Sequence, residues 1–350
     1  MIERIARRHF IFLGLFIILG LSLPLPYVLV EPGTPTNTFG KVKGKAVLEI
    51  IGKKNFPTNG KLNLTSIWVT SPNSHIQGFE LLRAWADGER SVQPREVFYP
   101  KGEDPEVVNK ESIADMKNSQ LAAQIASFNY LKIPYNQRLL VQEFTKDSPN
   151  KNRLEKNDLL ISFNGKKISS GVQLRKLIES STSSQVQMEV ERSGKRIMLP
   201  ILLKKIKVTS STSGKNRAKS KYQIGVLISE KYDFPYQLKI RLKDVGGPSG
   251  GLIFTLSIID KLTEDDLVQG RNIAGTGTIA PDGKVGPIGG IEEKLIGAAR
   301  EGATLFLAPS LNCPDIQHTP KGLRVVPVDN LKEAIAALRE RDPERLPICG

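Results

Sequence analysis

Histidine, cysteine and tryptophan are scarce in this chain: three, two and two residues in 350. The histidines, His9, His75 and His318, are scattered. There is no C-x-x-C pair and no H-E-x-x-H, so no metal centre and no cofactor site is expected. The phosphate-cradling pattern G-x-x-x-x-G-K-[ST] is also missing, which excludes an ATP-binding module of that type. Cys313 and Cys349 lie late in the chain; in an oxidising compartment they could pair, and in a reducing one they are two free thiols. Acidic residues are outnumbered, 36 against 50 lysines and arginines, giving a formal charge of +14. No nucleic-acid partner is expected. The length allows two or three domains with real cores, and the composition is that of a globular protein.

Long uncharged runs are equally rare, with one exception. Residues 10–30 carry no charge and follow Arg4, Arg7 and Arg8. That length suits a membrane-crossing helix, with Pro24 and Pro26 ending or kinking it near Leu23. The basic side faces the cytoplasm by the positive-inside rule. The expectation is an uncleaved, single-pass cell-membrane anchor, with everything after Glu31 on the extracytoplasmic side. The competing reading is a cleaved signal peptide.

Residues 33–130 read as short strands followed by an amphipathic helix over 111–131, with Ser112 and Asp115 in a capping-box pattern. Nothing there points to chemistry. Residues 204–221 contain no acidic residue and many serines and lysines, the composition of a solvated linker. Between these regions, the order is strand, turn at Ser148-Pro149, strand 159–163, turn at Asn164-Gly165, helix 172–180 and strands 186–192 and 195–203. The run S-P-N, Leu154, N-D-L-L-I, N-G and Ile168 resembles a bacterial-type PDZ domain. Asn157 stands where that family has glycine, and asparagine is the next best residue for a left-handed backbone. The resemblance implies a groove that binds extended peptides by strand addition.

The run D-V-G-G-P-S-G-G-L over residues 244–252 holds Ser249 among four glycines, between an alternating strand pattern and an apolar helix pattern. A serine at a strand-to-helix turn faces the free N–H groups of the helix start, which is how a nucleophile beside an oxyanion hole is built. Gly247 and Gly250 support such a turn. Downstream, the helix over 291–301 places Lys294 one turn from Ile291 and Ala298, on the apolar side, with Glu292 and Glu293 pointing elsewhere. Burial and the helix N-terminus both lower a lysine pKa towards the range of a general base. G-P-S-G-G also satisfies G-x-S-x-G, the nucleophile elbow of α/β-hydrolases, with His318 and Asp282 or Asp315 as its partners.

Together, G-P-S-G-G and G-T-G-T-I-x-P-x-G-x-V-x-P-I-G-G-I-x-x-K resemble the Lon protease catalytic domain over residues 223–339. The resemblance implies an ATP-independent, membrane-anchored serine endopeptidase with a PDZ-like module. It implies Ser249 as nucleophile, Lys294 as general base and later acid, and Thr276 as a hydroxyl that orients the lysine. Gly246 stands where Lon proteases commonly carry an acidic residue, and Asp244 lies two residues earlier. Protein or peptide substrates follow, as does a homo-oligomeric ring. The expected class is α+β. Residues 1–32 form the cytoplasmic tip and anchor, 33–130 a β-rich region plus helix, 131–205 a PDZ-like domain, 206–221 a linker, and 222–350 a Lon-type α/β proteolytic domain.

Overall fold

A computed structural model of the chain describes residues 14–16, 19–210, 217–242 and 245–349, with side chains described outside 207–221. The chain is a mixed α/β protein in two compact units. One combines Met1–Ile133 with Tyr236–Gly350; the other is Pro134–Pro235. The smaller unit is therefore inserted into the larger. This differs from the expected division at 130/131 and 221/222. The reason is strand pairing between segments far apart in sequence, which local patterning does not reveal.

That pairing is seen in the main sheet of the larger unit. Its strands run Arg324–Val328, Leu305–Pro309, Asn272–Gly275, Lys61–Leu64 and Thr36–Asn37 in space. The first four are parallel; Thr36–Asn37 closes the edge antiparallel to Lys61–Leu64. Lys61–Leu64 sits beside Asn272–Gly275 in register Leu62↔Ile273 and Leu64↔Gly275. The early residues are thus an inner strand of the sheet, not a separate region. Leu62, Leu64, Ile273, Leu305, Leu307 and Val326 are all buried, the composition expected when helices cover a parallel sheet.

Helix Gly251–Leu262 is buried from Gly251 to Asp260. Apolar residues all round it leave no face for water, so it runs through the core. Helix Pro105–Leu131 packs along it, and the Ser127 hydroxyl donates to the Thr255 carbonyl at 3.2 Å. This long helix begins earlier than its periodicity suggests. Asp104 caps it, accepting from the Glu106 N–H at 2.8 Å, and Pro105 opens it. The capping-box expectation at Ser112 and Asp115 is corrected accordingly: both lie well inside the helix.

The apolar N-terminal run is also revised. Tyr27–Pro32 is a strand pairing antiparallel with Ser91–Pro94 and Ile67–Val69, and Val28 and Val30 are buried in it. Among the described residues no helix is long and apolar enough to cross a membrane. Residues 1–13 and 17–18, which carry much of the expected anchor, lie outside the described residues. Cys313 and Cys349 form a disulfide closing a separation of 36 residues. A loop of that size contributes about 3–4 kcal/mol in the chain-entropy model.

In the inserted unit, strands Lys195–Leu202, Gln185–Arg192, Leu159–Phe163, Asn136–Phe144 and Val226–Asp233 form an antiparallel sheet in that order. Helix Gly171–Glu179 contributes Leu174 and Ile178 to its core. Asn157 takes φ 73°, the left-handed backbone expected of it. The stretch read as a linker instead forms two paired strands, Lys204–Ser210 and Arg217–Gln223. Composition pointed to solvent, but alternating Ile206 and Val208 suit a strand, and pairing satisfies the backbone. Residues 211–216 of that linker lie outside the described residues.

One buried carboxyl in the core helix gives a stability test. Asp260 is 1% exposed; one oxygen accepts from the Leu267 N–H at 2.6 Å and the other has no partner among the described residues. Burial, only partly offset by that bond, raises its pKa to about 6. Ionisation is therefore disfavoured in the fold. The penalty is absent below the unfolded value, grows from about pH 4, and is complete above about pH 6. Asp260→Asn is expected to raise stability at pH 7.5 by about 1–3 kcal/mol. The same change should flatten the decline in melting temperature from pH 5 to 7.5. Identical pH profiles for both proteins would contradict the assignment.

Candidate active site

The loop over residues 246–250 is shaped by backbone geometry. Gly247 has φ 79°, a conformation that side chains resist. Its N–H donates to the Ser112 carbonyl at 2.9 Å. The Ser119 hydroxyl donates to the Pro248 carbonyl at 2.8 Å. Ser112 also fills the place of a side chain at Gly246: a Cβ there would lie 2.1 Å from the Ser112 Oγ. The long helix Pro105–Leu131 thus holds this loop at two points, about two turns apart on the helix.

A trans peptide points its C=O and N–H in opposite directions. With the Pro248 carbonyl held down on Ser119, the Ser249 N–H turns away from the long helix. The Ser249 carbonyl accepts from the Gly277 N–H at 2.8 Å and from the Thr276 hydroxyl at 3.1 Å. By the same geometry the Gly250 N–H points away from both. Neither the Ser249 nor the Gly250 N–H has an acceptor among the described residues. Both precede helix Gly251–Leu262, where free donors and the helix dipole favour negative charge. Gly247 supplies its left-handed turn, and its own N–H is already occupied.

Thr276 and Gly277 interrupt what reads in sequence as a continuous strand over 273–280. The strand ends at Gly275 and resumes at Thr278–Ile279. Gly277 has φ 151°, and a Cβ there would press on Val285 and Leu252. This break turns the Thr276 hydroxyl and the Gly277 N–H onto the same Ser249 carbonyl.

Lys294 approaches from helix Ile291–Arg300, whose inner face is Ile291, Leu295 and Ala298. It is 3% exposed, and its Nζ donates to the Thr276 Oγ1 at 3.2 Å. Burial lowers its pKa to about 8; neighbouring Glu293 works in the opposite sense without cancelling the effect. Among the described residues the partner of the amine is the Thr276 hydroxyl and not a carboxylate. Glu292 points outward and accepts from the N–H groups of Gln317 and His318. Glu293 is itself buried.

The polarity of this chain of hydrogen bonds matters. The Thr276 hydrogen is committed to the Ser249 carbonyl, so its oxygen can only accept from Lys294. A neutral lysine amine then spends one N–H on Thr276 and keeps its lone pair for another proton. The Ser–His–Asp alternative is not assembled. His318 is 90% exposed and lies 4.0 Å from Glu292. Asp282 accepts from the Lys284 N–H and Asp315 from Asn312, neither from His318. Asp244 lies outside the described residues. Ser112 and Ser119 were missed in the sequence because a serine inside a helical pattern carries no signal of a distant carbonyl or loop.

Residues 242–340 match the Lon protease (S16) C-terminal proteolytic domain. A Lon protease of Elusimicrobium minutum is 31% identical over 183 residues, which cover 51% of this chain and 22% of that protein. Lon protease 2 of Thermus thermophilus is 42% identical over 78 residues, covering 22% of this chain and 10% of that protein. The chain thus spans less than a quarter of the length of these Lon relatives. Among solved structures, the PDZ domain of an SdrC-like protein from Listeria monocytogenes is similar at 19% identity. That match has a TM-score of 0.20 and covers 26% of this chain and 85% of that domain.

Proposed function

We propose that the chain is a serine endopeptidase whose nucleophile is Ser249 and whose base is Lys294. The observation that carries this reading is the buried Lys294 amine, without a carboxylate partner among the described residues and joined through Thr276 to the Ser249 backbone. The neutral amine takes the Ser249 proton as Oγ attacks the scissile carbonyl. The oxyanion is received by the N–H groups of Ser249 and Gly250. The ammonium of Lys294 then returns the proton to the leaving amine. In the second half, Lys294 takes a proton from water as the water oxygen attacks the acyl carbon, and returns it to Ser249 Oγ as the ester bond breaks and the acid is released. Thr276 keeps the amine aimed through both halves.

The family match supports peptidase chemistry, and the missing nucleotide motif supports cleavage without ATP, on unfolded segments or exposed tails. The uncharged run before Pro24 supports a membrane tether, and the Cys313–Cys349 disulfide supports an oxidising, extracytoplasmic location. The test is hydrolysis of an unfolded protein substrate without nucleotide. The wild type should cleave it and label with a fluorophosphonate, and Ser249→Ala should do neither while keeping its melting temperature. Cleavage that persists in Ser249→Ala, or that needs ATP, refutes the proposal. A wild type that neither cleaves nor labels leaves a peptide-binding scaffold as the better reading.

A further inference from the structure

Helix Gly78–Asp87 has more apolar surface than the fold uses. Gly78 and Ala84 are buried, and Leu81 lies beside them half-buried. At about 100° per residue, Glu80, Arg83 and Asp87 share an arc of roughly 60°. Every other position is apolar. Phe79, Leu82 and Trp85 are 51%, 56% and 84% exposed, on the side that the core does not cover. A solvent-facing helix places charge there; this one places two aromatic rings and a leucine.

Where the helix begins decides its partner. Gly78 sits against the backbone of Leu21, and a Cβ at Gly78 would lie 3.1 Å from the Leu21 Cα. Leu21 belongs to the uncharged run that precedes Pro24. Fourteen residues of that run, 10–23, lie ahead of the strand segments. The folded part therefore begins directly where the uncharged run ends, with no polar spacer between them. The Pro24–Leu25 and Ile76–Gln77 strands are paired, so the start of helix Gly78–Asp87 is fixed at the point where the tether ends. Tryptophan and phenylalanine on a helix so placed suit the headgroup layer, where amphipathic rings gather.

We propose that helix Gly78–Asp87 lies in the membrane interface, with Phe79, Leu82 and Trp85 inserted among the lipid headgroups. The proposal rests on the membrane-tether reading above. It makes the tether and this helix a single two-point attachment, which fixes the catalytic unit's orientation to the bilayer. A lone tether would leave it free to swivel.

The test uses the full-length chain carrying Trp68→Phe, so that Trp85 is the remaining tryptophan. It is reconstituted into vesicles of phosphatidylcholine and phosphatidylglycerol, with and without lipids brominated near the headgroup end of the acyl chain. The expected result is co-flotation with the vesicles, blue-shifted Trp85 emission, and loss of most of that emission with brominated lipid. Co-flotation with water-like, unquenched emission overturns the proposal and leaves the tether intact. Blue-shifted emission that brominated lipid does not quench also overturns it, because the face is then covered by protein, such as a second copy of the chain. Failure to co-float removes the tether and the interfacial helix together.

Discussion

Lys294→Met is expected to abolish peptide-bond cleavage and to make the fold more stable at neutral pH. The two effects have one cause. A lysine held at 3% exposure, without a carboxylate partner among the described residues, is a charge the fold disfavours. Its pKa falls from 10.5 to about 8 in the folded chain. The sign follows directly: with a depressed pKa on a basic group, the folded state binds the proton less well than the unfolded state. The penalty is complete below about pH 8 and fades as pH rises towards 10.5. Methionine keeps most of the apolar stem and removes the charge. At pH 7 the gain in stability is expected to be about 2–3 kcal/mol, less the hydrogen bond given up to Thr276. Activity should fall by about 10³-fold or more, the scale of a lost general base. Denaturant unfolding at pH 7, run beside a cleavage assay, checks both. A variant that is inactive and also less stable at pH 7 would mean that Lys294 is a structural cation, and the base assignment would fail. In the wild type the same pKa predicts that kcat climbs with pH and levels off above about pH 8, since the neutral amine is the working form.

Lys294 was legible in the sequence for a simple reason. Its place on the apolar side follows from spacings of three and four residues within one helix, and such spacings are local. Ser249 was legible because glycines at fixed offsets mark a backbone that ordinary residues resist. The left-handed Asn157 was read by the same rule. What escaped was everything decided by partners distant in sequence. Lys61–Leu64 reads as a short strand in an early β-rich region, yet it pairs with Asn272–Gly275 more than two hundred residues later. Lys204–Ser210 and Arg217–Gln223 read as a charged linker, because composition reports solvent preference and not backbone pairing. Tyr27–Pro32 follows the prolines that end the expected helix near Leu23, but its pairing with Ser91–Pro94 and Ile67–Val69 is set by residues far along the chain. Nothing in the helix Pro105–Leu131 points to chemistry in sequence, because its work is done by two serines touching a loop 129 and more residues ahead.

That work can be isolated. Ser119→Ala is expected to lower kcat by roughly 10-fold to 100-fold while leaving KM and the melting temperature nearly unchanged. The hydroxyl of Ser119 touches no reacting atom, so it is a positioning residue. It fixes the Pro248 carbonyl, and the planar peptide then fixes the Ser249 N–H that is proposed to receive the oxyanion. Losing a donor from an oxyanion hole outright lowers rate by about 10²–10³-fold. Loosening that donor should have a smaller effect, and a neutral hydrogen bond contributes only about 1 kcal/mol to the fold. Because the oxyanion exists only along the reaction path, the defect should fall on kcat and spare KM. Ser119→Thr retains the hydroxyl and should recover most of the rate. Fluorophosphonate labelling adds a readout that a merely structural role would leave alone: its phosphoryl oxygen needs the same N–H groups, so labelling of Ser119→Ala should slow in step with kcat. If kcat holds while stability drops, Ser119 serves helix packing only. The loop would then owe its geometry to Gly247 and Ser112, whose carbonyl holds the Gly247 N–H at 2.9 Å.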